Sequence, residues 1–72
     1  MKTDADLQTS VMHELAWDTR VDATAIGVSV RHGVVTLNGV VAGWAQKHAA
    51  EEAAHRVASV LDVANDIEIR PS

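Results

Sequence analysis

Seventy-two residues make one small domain, one that buries only about 60% of its unfolded surface and has no room for a deep, water-excluding active site. Ten Asp and Glu against six Lys and Arg give a net charge of -4 with no basic patch, the wrong balance for a duplex nucleic-acid binder or for purely electrostatic attachment to anionic lipid. No cysteine is present, which removes disulfide and thiolate chemistry.

The first element is a helix. Thr3-Asp4-Ala5-Asp6 reads as a capping box with Asp in place of the usual Glu, and Leu7, Val11 and Leu15 follow at i, i+4 and i+8. The helix is expected over about residues 4–17, with Met12 at the edge of the apolar stripe and Trp17 well off its centre. Arg20 to Ala25 is a connector. Ile26 to Val41, IGVSVRHGVVTLNGVV, alternates as two strands, 26–31 and 34–41, joined at His32-Gly33, where Gly supplies the positive φ of a two-residue turn. Pairing Val30 with Val35 places Val28 opposite Leu37 and Ile26 opposite Gly39, so one face is apolar throughout. A one-residue slip would bury Ser29, Thr36 and Asn38 instead.

Gly43 is a suitable N-cap for a second helix over about 44–59. Ala49, Ala50, Ala53, Val57 and Val60 gather on one side of it; Trp44, His48, Glu51 and His55 gather on the other. Alternation of Val63, Asn65, Ile67 and Ile69 predicts a third strand over 62–69, which Pro71 ends. The order α-β-β-α-β predicts an α+β two-layer sandwich, two helices on one face of a three-stranded sheet. No segment reaches the roughly 20 apolar residues of a membrane span, and MKTDADLQTS lacks the apolar run of a signal peptide. As it stands the chain reads as cytoplasmic, or periplasmic if a leader is missing.

These residues resemble a family. The pattern of Ile26 to Val41, the Ala-rich helix after it and V-A-N-D-I-E-I at Val63 to Ile69 are similar to the BON domain, named for osmotically inducible periplasmic and nodulation proteins of bacteria. The resemblance extends from about Asp4 to Ile69, with Gly33 and Gly39 at the family's two glycines. It departs at Ser59-Val60, where the family has Gly-Val, so a different cap is expected at that helix end. The resemblance implies the α-β-β-α-β fold and a non-catalytic binding module for phospholipid or a membrane-associated protein, with links to transport and stress response. It also implies tandem repeats or self-association. A protein-interaction or assembly module is the alternative reading.

Chemistry-bearing groupings are few. His48, Glu52 and His55 at i, i+4 and i+7 form a metal candidate without a fourth ligand, set against a solvated helix face. Ser29, His32 and Asp22 offer a paper triad with nothing to activate the serine. No catalytic residue and no cofactor is expected. The features with functional weight are Trp17 beside Arg20 and Trp44 beside Lys47, because a tryptophan ring is apolar while its N–H prefers water. The competing reading has each ring covering a rim of the core. Contact with lipid or protein at Trp17, Arg20, Trp44 and Lys47 is the binding expectation.

Overall fold

Thr3 opens the first helix in the computed structural model, which describes residues 2–71. Its hydroxyl accepts the Asp6 amide proton at 3.1 Å, and its own amide donates to Asp6 Oδ2 at 3.2 Å. The shorter Asp thus completes a capping box. Helix α1 (Asp4–Trp17) buries Leu7, Val11 and Leu15, one turn apart. Asp18 ends it by turning the backbone extended.

A single 3-10 turn at Ala23–Ala25 leads into β1 (Ile26–Arg31), which pairs antiparallel with β2 (Val34–Val41). The register joins Val30 to Val35, Val28 to Leu37 and Ile26 to Gly39, the pairing that the alternation requires. His32 and Gly33 both lie at positive φ, 52° and 81°, as a primed hairpin turn demands. Asp4 reaches this turn from α1: Oδ2 accepts the His32 amide at 2.9 Å and Oδ1 the Gly33 amide at 3.1 Å. Those two bonds hold its carboxyl below the usual carboxylate range. Gly39 sits at φ 127°, and a Cβ there would run into the Ala25 carbonyl oxygen.

β2 is the central strand. β1 lies on one side, and β3 (Asp62–Asn65) and β4 (Glu68–Ile69) both run parallel to β2 on the other. The sequence predicts one strand over 62–69 and three strands in all; the structure divides that strand and gives four. Asn65 causes the division. Its Oδ1 accepts the Ile67 amide at 3.2 Å, while its Nδ2 donates to the Lys47 carbonyl at 3.0 Å and to Glu51 Oε1 at 3.3 Å. The side chain thereby replaces a ladder bond and ties the break to the helix above. Ile67 is turned inward there, 2% exposed.

Helix α2 (Trp44–His55) is shorter than its expected span to residue 59. After Arg56 the chain turns through Ser59 at φ 78°, a left-handed conformation in which a side chain is strained. Val57, 8% exposed, anchors that turn to the core. The serine therefore occupies a backbone position suited to glycine.

Both helices lie on one face of the sheet, and the core forms between them. It joins Leu7, Val11 and Leu15 of α1, Ala50, Ala53 and Ala54 of α2, and Val35, Leu37 and Val41 of β2, with Val57 and Ile67. Ile26, Val28 and Val30 are only partly buried, β1 being an edge strand that packs against α1. No helix of the described residues is long and apolar enough to cross a membrane.

Candidate functional site

Burial leaves the two tryptophans outside. Trp17 is 84% exposed and Trp44 71%, so neither ring covers a rim of the core. Both residues also lie off the buried faces of their helices. Trp17 follows Leu15 by two residues, about 200° around α1, and Trp44 lies a comparable angle from the buried Ala49 and Ala53 of α2. Both rings stand on the exposed, outer faces of their helices, off the buried stripes. The Lys47 ammonium stands 5.4 Å from the Trp44 ring centroid, within cation–π reach.

A turn away from each ring on the same helix face stands an exposed histidine. His13 precedes Trp17 by four residues, and His48 follows Trp44 by four. His55 continues the α2 face, in a shallow depression shared with His48, Glu51, Glu52 and Arg56. The i, i+4 spacing of His13 and Trp17 was visible in the sequence, but only a known exposure makes it a surface pair.

Arg20 is placed differently. Its Nε and Nη2 grip Asp18 at 3.0 and 2.8 Å, and its Nη1 reaches Glu52 at 2.9 Å. Arg56 bonds Glu14 at 3.1 Å and Asp18 at 3.2 Å. Asp18 is the hub, its side chain 6% exposed. The two guanidiniums, Arg20 first, hold its carboxyl well below the usual carboxylate range, and the Arg20 guanidinium is held above its usual range in return. Arg20 thus latches the end of α1 to α2, with its donors directed at carboxylates and not at a ligand. The structure brings Trp44 and Lys47 together and commits Arg20 to the carboxylates of Asp18 and Glu52.

The metal candidate does not assemble. His48 Nε2 lies 3.8 Å from Glu52 Oε1, but that oxygen already accepts Arg20. Among the described residues no group of three or more His, Cys, Asp or Glu is placed to hold an ion. Asp22 and His32 flank opposite ends of the six-residue strand β1, about 20 Å apart at 3.3 Å per residue, so the paper triad is not formed. Asp22 instead caps the 3-10 turn through the Thr24 amide.

Two other surfaces are open. A mostly apolar cleft of about 410 Å³ lies beside the start of β1, lined by Met12, Leu15, Ala16, Ala23 and Ile26, with His13 and Thr24 as its polar members. The uncovered face of the sheet presents Val34 and Val40, 38% and 42% exposed.

Compared with models of protein families, residues 3–71 match one described as the BON domain, nearly the whole chain. A comparison with individual curated proteins gives no match.

Proposed function

The chain belongs to the BON domain family, and from that premise we propose that it is a non-catalytic binding module whose helix layer docks on phospholipid surfaces. The observation that carries this reading is the outward placement of Trp17 and Trp44. A ring with an apolar body and a polar N–H is suited to the boundary between headgroups and acyl chains. Lys47 beside Trp44 adds a cation for the phosphates. The reading is tested by mixing the protein with phosphatidylcholine–phosphatidylglycerol vesicles. It predicts co-sedimentation and a blue shift of tryptophan emission, both lost in the Trp17→Ala/Trp44→Ala double variant. Absence of both signals with every lipid mixture would sink it.

A second reading is a protein-interaction module, favoured by the cleft at Met12 and Ile26 alongside the edge strand β1, where Gln8 Nε2 donates to the Val28 carbonyl at 2.8 Å. An extended segment could add to that edge and seat an apolar side chain in the cleft. Self-association of this kind predicts a concentration-dependent sedimentation coefficient that Met12→Glu abolishes. A coefficient that stays monomeric through the high micromolar range would count against it.

A further inference from the structure

Net charge is the obstacle to a bilayer-docking surface on this chain. At -4 with neutral histidines it would be repelled by anionic lipid, yet four histidines are present and all four are exposed. Three of them lie on the exposed faces of the two helices, His13 at the rim of the cleft beside Ile26. His13 stands one turn from Trp17, His48 one turn from Trp44, and His55 follows on the same face of α2. Each helix therefore carries a tryptophan and at least one histidine a turn apart on its exposed face.

The other charges of those faces nearly cancel. The cations are Lys2, Arg20, Lys47 and Arg56; the carboxylates are Asp6, Glu14, Asp18, Glu51 and Glu52, a formal balance of -1. Glu14, Asp18 and Glu52 are tied to the two arginines, Glu51 to Asn65, and Asp6 to the start of α1. From the strands beneath α2, Asp62 and Glu68 belong to the open sheet face and Asp66 to the strand break. Three protonated imidazoles would change the balance from -1 to +2, and protonating all four histidines would bring the whole chain from -4 to zero. Histidine is the side chain that gains its charge between pH 8 and 5, where carboxylates remain ionised.

We infer that the exposed faces of the two helices form an acid-dependent docking surface for anionic bilayers, with Trp17 and Trp44 as anchors and His13, His48 and His55 as the charge that mild acid supplies. The inference rests on the bilayer reading above and adds to it a lipid class and a condition. Each cation held near an anionic surface strengthens binding about fivefold, so association should rise on the order of tenfold or more from pH 7.5 to 5.5.

The test is co-sedimentation of the whole chain with phosphatidylcholine–phosphatidylglycerol vesicles and with pure phosphatidylcholine vesicles, at pH 7.5 and 5.5. Circular dichroism reports the fold at both pH values. The rise should occur only with the anionic vesicles. His13→Gln/His48→Gln/His55→Gln should bind equally at both pH values. His32→Asn, altered at the hairpin turn where Asn tolerates positive φ, should keep the rise. Equal binding of the unaltered chain at both pH values would overturn the acid dependence while leaving the bilayer reading standing. A rise that persists in the triple variant would overturn the assignment to these histidines. No pelleting and no emission shift under any condition would overturn both.

Discussion

The two sides of the helix layer are built on opposite rules. On the inner side of α2, Ala49, Ala50, Ala53 and Ala54 are all fully buried. On the outer side of the same helix stand Trp44, His48 and His55, all exposed. The smallest apolar side chains face the sheet and the largest face water. Hydrophobic burial alone would favour the reverse, because a buried tryptophan removes more apolar area from water than any alanine. The alanines are there because they let α2 approach the sheet closely, over Val35 and Leu37. The tryptophans serve neither the core nor its rim. On the proposed reading stability and binding fall on opposite faces of the same helices, and substitutions should separate them.

The largest effect is expected on the inner, scaffold side. Gly39→Val places a branched side chain at φ 127° against the Ala25 carbonyl, and should cost about 3 kcal/mol or more. In a domain this small, thermal melting should show a chain largely unfolded at 37 °C. Asn65→Ala removes the acceptor of the Ile67 amide and the tie to α2, and should cost about 1–3 kcal/mol in urea unfolding. Ser59→Gly should act in the other direction, stabilising by about 1 kcal/mol as the left-handed strain is relieved. Acid should weaken the scaffold at Asp4 and Asp18. Both carboxyls titrate lower when folded than unfolded, so their contribution is complete above the unfolded value of about 3.8 and is lost as the pH falls below it. Urea midpoints should hold steady from pH 7 to 5 and decline below about pH 4. Asp18→Asn should lower the midpoint at neutral pH and flatten that decline. The smallest stability effect belongs to the outer side: Trp17→Ala/Trp44→Ala should leave stability within about 0.5 kcal/mol, since exposed side chains away from special features contribute little.

Much of the scaffold was legible because it follows from periodicity. Leu7, Val11 and Leu15 declare a helix face, and the alternation from Ile26 to Val41 admits one register. What escaped depends on side chains that act at a distance or against period. Asn65 falls on the inward set of its strand and looks like part of the alternation; it shows itself as a strand breaker only when Lys47 and Ile67 are in place around it. Asp4 reads as a helix-start acid, and nothing local tells that its carboxylate also caps a turn 28 residues on. The early end of α2 was hidden because Ser59 does not announce positive φ as glycine does. Of the binding candidates, Trp44 and Lys47 were legible as neighbours. Arg20 was not legible as a latch, since Glu52 is 32 residues away. Whether the rings were exposed could not follow from angular position alone, because a large side chain can fold back over a helix end.

The central claim is that the outer tryptophans enter a bilayer while the core stays intact. The most direct measurement is quenching of tryptophan emission by vesicles whose acyl chains carry bromine, with circular dichroism recorded on the same samples. The chain's only aromatic side chains are Trp17 and Trp44, so every quenched photon reports one of them. The account predicts quenching that deepens from pH 7.5 to 5.5 on anionic vesicles, with unchanged secondary structure. Emission that is indifferent to the brominated lipid at both pH values would contradict it.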